Sequence, residues 1–291
     1  MGRVALVTDS TAHLQVGAES ACDVSVVPLQ VVIDDEVYDE GSPEATPEKV
    51  AEALRQKRAV STSRPAPAVF AELYQRLADE GATEIVSVHL SAEVSGTFES
   101  ALVAARTAPV PVICVDTRQV GVASGYAVES AAAVLAQGGS AAEAAEAARA
   151  RADVSTSLFY VNTLEYLRRG GRVGAAAAVF GGVLSVKPLL GIVDGVIEPR
   201  AKVRTAAKAI AQLEALAVES AGDRQVEVCV AHLAAEERAV AMAERLAERL
   251  GEQVVPGRDG TPVRCVELGG VLGAHVGPGM LAICVAPVDP A

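Results

Sequence analysis

The alternation of strand and helix patterns in the first half of the chain restricts its fold more than any other feature. Strand-like apolar runs occur at residues 4–8, 24–33, 84–89 and 112–116. Helical patterns lie between and after them, at 48–58, 65–80, 95–106, 125–137 and 141–152. Strands joined by helices usually pair in parallel and need cover on both faces. The first half therefore predicts an α/β domain, a mainly parallel sheet with helices on both faces.

The second half has a different pattern, in which two strand-like runs follow each other directly. Residues 183–190 and 192–198 are joined at Asp194-Gly195, which is a hairpin signal. Further strands are predicted at 225–232, 263–268 and 280–285, with helices at 203–218 and 236–250. This order predicts an α+β domain with a mixed or antiparallel sheet. Because 291 residues exceed what one core usually serves, we divide the chain into an N-terminal domain, 1–154, and a C-terminal domain, 155–291.

Charge and hydropathy exclude several classes of function. A formal net charge of −12 repels nucleic acid and anionic membranes. No apolar run is long enough to span a bilayer, so no stable membrane insertion is expected. The chain begins without the basic segment, apolar segment and cleavage site of a signal peptide, and its five cysteines form no CxxC motif. These features predict a cytoplasmic protein.

Three polar segments lie where the local pattern changes. Thr8-Asp9-Ser10-Thr11 ends the first strand, where parallel sheets often bind ligands; the alternative is a plain helix cap or turn. Ser61-Thr62-Ser63-Arg64-Pro65 precedes a predicted helix, where hydroxyls and free amides suit an oxyanion, or where Ser63 acts simply as N-cap. Ser95-Gly96-Thr97 begins another helix, and Glu93 at the first glycine position excludes a nucleophile elbow.

Two glycine-rich segments follow in the second half. Arg168, Arg169 and Arg172 stand among three glycines and form the densest basic run of the chain, which suits carboxylate or phosphate binding, or a solvated loop. His275 lies among the glycines of 273–279, where a loop histidine comes close to backbone and ligand. The chain has no P-loop and no GxGxxG, and its histidines lack metal-ligand spacing, so neither a metal nor a cofactor is predicted.

In this order the segments resemble the DegV family of bacterial fatty-acid-binding proteins. The likeness covers nearly the whole chain and includes Asp116 and Lys187-Pro188. It departs from the usual pattern at Arg64, often Gln in relatives, and Ala92, often Ser. The resemblance implies two domains that enclose one acyl chain between them. It also implies that Thr62, of the Thr-Ser-x-Pro motif, and Ser95, of the Ser-Gly-Thr motif, hold the carboxylate.

The same resemblance implies a lipid-binding carrier rather than an enzyme, so no catalytic residue is assigned. Some members are the acyl-carrying subunit of a fatty acid kinase whose other subunit supplies ATP and catalysis. We therefore expect a long-chain fatty acid such as palmitate, and a kinase subunit, as partners. Four further residues are expected near the head group or at the surface where the partner docks: His275, Arg172, Arg204 and Ser10.

Two other functions remain open on the residues alone. An autonomous phosphotransferase for small acids would turn over ATP without a partner. A regulatory α/β protein without lipid would stay free of fatty acid after incubation with it. Neither reading changes the predicted fold.

Overall fold

A computed structural model describes residues 2–15, 24–174, 176, 178 and 187–288. The strands are β1 (Arg3–Asp9), β2 (Val24–Val27), β3 (Gln30–Ile33), β4 (Glu36–Asp39), β5 (Val60–Ser63), β6 (Ala82–His89), β7 (Val112–Asp116), β8 (Thr156–Tyr160), β9 (Lys187–Val193), β10 (Val196–Val203), β11 (Val226–His232), β12 (Val263–Glu267) and β13 (Leu281–Pro287). The helices are α1 (Pro47–Arg55), α2 (Pro67–Asp79), α3 (Thr97–Ala105), α4 (Val122–Ala136), α5 (Ala141–Val154), α6 (Glu165–Arg169), α7 (Ala206–Ala221), α8 (Glu236–Leu250) and α9 (Gly270–Val276). The first four positions of the strand predicted at 183–190 lie outside the described residues.

One compact unit comprises Met1–Gln30 and Ser63–Val154. Its sheet has the order β2-β1-β6-β7, and the described pairings in it are all parallel. Neighbouring strand residues face opposite sides, so Val7 packs with Phe70 of α2, whereas Leu6 packs among the alanines of α4 and α5. The predicted parallel sheet with helices on both faces is therefore confirmed.

The second compact unit comprises Val31–Thr62 and Ser155–Ala291. Its larger sheet has the order β10-β9-β8-β13-β11-β12, in which β11 and β12 are parallel and the other pairings are antiparallel. The predicted hairpin at Asp194 joins β9 to β10. Helices α7 and α8 bury Leu213, Met242 and Leu246 with side chains from one face of this sheet. The predicted mixed sheet is confirmed.

The segment Val31–Thr62 leaves the first unit and belongs to the second. A three-stranded sheet of order β4-β3-β5 is built mainly from it. Glu40, just after β4, accepts a hydrogen bond from the backbone N–H of Val271 in α9 at 2.8 Å. The contiguous division into 1–154 and 155–291 therefore differs from the compact units, although the chain does pass into the second unit after Val154.

The single strand predicted at 24–33 is wrong, because two strands of different sheets occupy it. β2 pairs with β1, whereas β3 joins the three-stranded sheet. Pro28 lies between them and lacks the N–H that a continuous ladder needs. Because the sequence is apolar on both sides of Pro28, its composition alone does not reveal the change of sheet.

No helix in the described part of the chain is long and apolar enough to cross a membrane. Within the same residues, no group of three or more His, Cys, Asp and Glu side chains could hold a metal ion.

Candidate functional site

Asp9 is the buried centre of a hydrogen-bond network at the carboxyl ends of β1 and β6. Its Oδ1 accepts from the backbone N–H and the hydroxyl of Thr11, at 3.1 and 2.6 Å. Its Oδ2 accepts from the N–H of Leu90 at 3.1 Å and lies 3.0 Å from Nδ1 of His89. Burial alone would raise the pKa of Asp9, but the hydrogen bonds and the charge interaction with His89 together lower it. Asp9 therefore remains a carboxylate and fixes the residues that follow both strands.

The imidazole of His89 extends this network to Ser87 and Tyr74. Nε2 lies 2.7 Å from Oγ of Ser87, and the Tyr74 hydroxyl donates to the same Oγ at 2.8 Å. The order Ser, His, Asp is that of a hydrolase triad. However, Ser87 and His89 are fully buried, so a substrate has no access to the hydroxyl. The network therefore holds the ends of the strands in place.

Ser95 lies at the end of the loop that leads from β6 into α3. Its backbone N–H donates to the carbonyl of Ser91 at 3.1 Å, while its Oγ accepts from the N–H of Thr97 at 3.3 Å. Ser95 Oγ is also 2.9 Å from Oγ1 of Thr97. The side chain is half-buried. The predicted position of Ser95 at the start of a helix is confirmed, and its hydroxyl is held in one place by the first turn.

The sequence had suggested that Thr62 lies at the start of a helix, but Thr62 lies on the strand β5. Helix α2 begins later, at Pro67, because Ala66 adopts the extended conformation that a following proline favours. Ser63 does not cap this helix, since α2 has no side-chain cap and the Ser63 hydroxyl donates to the carbonyl of Arg64. The half-buried Thr62 instead has its Oγ1 2.9 Å from Nε2 of His275.

His275 belongs to the last turn of α9, so the prediction of a glycine-rich loop at this position is wrong. Burial, and secondarily the charge of Arg172, lower the pKa of His275 from 6.5 to about 4. The imidazole is therefore neutral near pH 7. Its Nδ1 is buried without a hydrogen-bond partner among the described residues. The other ring nitrogen, Nε2, makes the polar contact with Thr62.

The basic turn, defined as residues 168–172, packs against His275 through a glycine. It includes the last two residues of α6, Arg168 and Arg169, and its Gly171 adopts a positive φ of 72°. A Cβ atom at Gly170 would lie 2.1 Å from Nδ1 of His275, so only glycine admits the ring here without a shift. Arg172 is exposed and donates to the carbonyl of Gly170. The turn therefore presents cations outward and backbone toward the imidazole.

The remaining sequence candidates have different surroundings. Ser10 Oγ accepts a hydrogen bond from the N–H of Leu29 at 3.0 Å, so it stabilises the chain after β1. Arg204 is exposed between β10 and α7. Asp116, at the end of β7, accepts from the N–H groups of Ala92 and Arg118 at 3.2 and 2.9 Å. It thereby stabilises the loop that carries Ser95.

Sequence reasoning missed two side chains that hold the glycine-rich turn after α9. Asn162 donates to the carbonyl of Pro278 at 3.0 Å, and Arg238 donates to the carbonyl of Gly279 at 2.9 Å. Tyr160 in turn donates its hydroxyl to the Asn162 amide at 2.7 Å. Each of these residues is isolated in sequence, and no local motif marks it. The pairing of β8 with β13 brings Tyr160 and Asn162 to the turn, whereas Arg238 comes from α8.

The fold defines a class of two-unit α/β proteins that have one parallel sheet and one mixed sheet. In this chain, half-buried hydroxyls lie near the ends of a strand and a helix. The family model described as "Uncharacterised protein, DegV family" matches residues 3–288. The chain therefore belongs to the DegV family, as the motifs predicted.

Known relatives agree over almost the whole length. A DegV domain-containing protein of Streptomyces coelicolor is 50% identical over 283 residues, which cover 97% of this chain and 98% of the relative. The crystal structure of DegV, a fatty acid binding protein from Bacillus subtilis, matches with a TM-score of 0.87 and 30% identity, covering 99% of this chain and 100% of that one. A fatty-acid-binding DegV family protein of Thermus thermophilus matches with a TM-score of 0.86 and 32% identity, covering 98% and 100%.

Proposed function

We propose that this chain binds one long-chain fatty acid, such as palmitate, and presents its carboxylate to a partner kinase. The observation that carries the proposal is the half-buried Thr62 hydroxyl held beside a neutral imidazole. The fatty acid binding described for the Bacillus and Thermus relatives supports the class of ligand. Burying ~15 methylenes at about 0.8 kcal/mol each supplies roughly 12 kcal/mol, less several kcal/mol for immobilising the chain. The tail then accounts for most of the affinity.

The head group is held by hydroxyls in this proposal. Thr62 and Ser95 each donate a hydrogen bond to a carboxylate oxygen. A hydrogen bond to a charged group contributes about 1.5–3 kcal/mol, so losing one should raise the Kd for palmitate roughly 10- to 100-fold. Ser10 is a weaker candidate, because its hydroxyl oxygen already accepts from Leu29.

Mass spectrometry of material extracted from the purified protein tests the ligand class directly. We expect one long-chain acid per chain, and a preference for palmitate over butyrate in competition. Thr62→Val should weaken palmitate binding, whereas Ser63→Ala is the matched control, since Ser63 is an exposed hydroxyl on the same strand. Equal binding by the two variants would remove Thr62 from the head-group site.

Ser95→Ala needs a separate control, because it also removes a hydrogen bond at the start of α3. Ser140 makes the same kind of bond at another helix start, accepting from the N–H of Glu143 at 3.3 Å. Ser140→Ala should therefore lower stability to a similar extent without changing the Kd. If both variants bind palmitate as the wild type does, Ser95 makes no contact with the carboxylate.

In the proposed kinase step, the partner supplies catalysis and this chain presents the carboxylate. A carboxylate oxygen attacks the γ-phosphorus of ATP, the bond to ADP breaks, and acyl phosphate and ADP are formed. Arginine stabilises transferring phosphoryl groups and also anchors acidic partners. Arg168 and Arg172 are exposed on the basic turn, and Arg204 is exposed in the same unit. These cations support a docking role for the basic turn and for Arg204.

An acyl phosphate assay with palmitate, ATP and Mg²⁺ tests this role, with and without a candidate kinase subunit. Charge reversal, Arg172→Glu or Arg204→Glu, should reduce the coupled reaction while palmitate binding is largely retained. Arg149→Glu is the control, because Arg149 is a partly exposed helix residue of the other unit that pairs with Glu146. Loss of palmitate binding in the first two variants would place those residues in the pocket or the fold.

The alternatives appear as outcomes of the same experiments. Acyl phosphate formed without the partner would favour an autonomous phosphotransferase. A wild-type protein that contains no lipid and takes up no palmitate would favour the regulatory reading.

A further inference from the structure

The imidazole of His275 has two ring nitrogens in unequal surroundings. Nε2 faces Oγ1 of Thr62 at 2.9 Å. Nδ1 faces the backbone of Gly170 so closely that a Cβ atom added to Gly170 would lie 2.1 Å from Nδ1. Nδ1 is buried and has no hydrogen-bond partner among the described residues. One nitrogen is thus beside a hydroxyl and the other is beside a methylene carbon.

Those surroundings select the tautomer of a neutral histidine. A neutral imidazole carries one N–H and one lone pair. If Nδ1 carried the proton, a buried N–H would face aliphatic carbon without an acceptor, which is more costly than leaving a lone pair unused. If Nε2 carries the proton, it donates to Thr62. The second arrangement leaves no buried N–H without an acceptor.

The choice of tautomer decides what the Thr62 hydroxyl can do. With Nε2 as donor, Oγ1 is the acceptor, and the hydroxyl proton of Thr62 has no acceptor among the described residues. That proton is then available to an oxygen of a bound ligand. With the other tautomer the hydroxyl would have to donate to Nε2, and Thr62 would offer a ligand oxygen only lone pairs.

We propose that Gly170 is a positioning residue that keeps His275 in the Nε2–H tautomer, so that Thr62 acts as a hydrogen-bond donor to the ligand. The proposal rests on the fatty acid carboxylate as ligand, since a carboxylate requires donors. The proposal gives Gly170 a role that is separate from the role of the arginines in the basic turn. It also connects the surface turn to the head-group hydroxyl through a single imidazole.

The tautomer is measured by long-range ¹H–¹⁵N NMR of the histidine rings, with His275→Gln used for assignment. We expect His275 to be protonated on Nε2 near pH 7, and a predominant Nδ1–H form would overturn the proposal. This measurement does not depend on palmitate. If the wild type binds no palmitate, the proposed function fails while the tautomer is still decided.

The role of Gly170 is tested by Gly170→Ala, with Gly171→Ala as control. Both add a methyl group to the same turn, but the one at Gly171 meets open space, although at a positive φ. Gly170→Ala should shift the His275 ring resonances and raise the Kd for palmitate roughly tenfold. Gly171→Ala should leave the ring resonances unchanged. Unchanged His275 resonances in Gly170→Ala would contradict the proposal.

A double-mutant cycle separates this effect from general damage. Because both changes act on the Thr62 donor, adding Gly170→Ala to Thr62→Val should raise the Kd no further. Fully additive losses would mean that Gly170 acts elsewhere. Should Gly170→Ala fail to fold, His275→Ala in the same chain should restore folding by removing the obstructing ring. Failure of that rescue would overturn the proposed contact.

Discussion

Acidification should destabilise the unliganded protein through His275, and the size of the effect follows from its surroundings. The pKa is lowered from 6.5 to about 4, chiefly by burial and further by the charge of Arg172. Between these values the unfolded chain binds a proton that the folded chain does not, so stability falls as the pH falls. At 1.36 kcal/mol per pKa unit the difference of about 2.5 units corresponds to roughly 3 kcal/mol. The loss is complete below about pH 4.

Urea unfolding of delipidated protein at a series of pH values between 7 and 4 measures this effect. Carboxyl groups also titrate in this range, so the quantity of interest is the difference between wild type and His275→Gln. The glutamine cannot take up a proton, yet it can still donate to Thr62. The free energy of unfolding should fall about 3 kcal/mol more in the wild type than in the variant. Parallel pH dependences would refute the argument that the imidazole is buried in its neutral form.

Two further predictions concern the frame around the candidate site. Asp9→Asn should lower the free energy of unfolding by about 3 kcal/mol or more, because it leaves buried donors facing an amide, and urea unfolding at pH 7 measures it. Since the pKa of Asp9 is lowered, its stabilising contribution is present above pH 3.8 and is lost below it as the folded carboxyl titrates. Gly277→Ala should lower the melting temperature more than Gly251→Ala. Both positions have positive φ, but only the methyl at Gly277 would collide with an aromatic ring.

The elements with strong local patterns could be predicted from the sequence. The strand predicted at residues 112–116 is β7, and the helix predicted at 48–58 is α1, which begins at Pro47 after its N-cap, Thr46. Apolar alternation and capping act over a few residues, so a single sequence contains them. The parallel sheet followed from the same local signals, because strands separated by helices leave few other arrangements.

The errors arose where tertiary contacts outweigh local preference. The glycines of 273–279 indicated a loop, yet residues 273–276 belong to α9. A methyl group at Gly270 would come within 2.9 Å of the carbonyl of Ala45, so glycine permits a close approach of the helix to its neighbours. Glu40 accepts from the N–H of Val271 at the start of the helix. Helix propensity therefore yields to packing and capping from a distant segment.

The pairing of Thr62 with His275 illustrates why site residues could be identified without their chemistry. The two residues are 213 positions apart and share a hydrogen bond of 2.9 Å. Motif resemblance identified both, but it treated Thr62 as a helix-start hydroxyl and His275 as a loop residue. Their contact depends on the segment Val31–Thr62, which belongs to the second unit and ends at Thr62. Shortening or lengthening the chain near Thr62 would therefore separate the hydroxyl from the imidazole while leaving every motif intact.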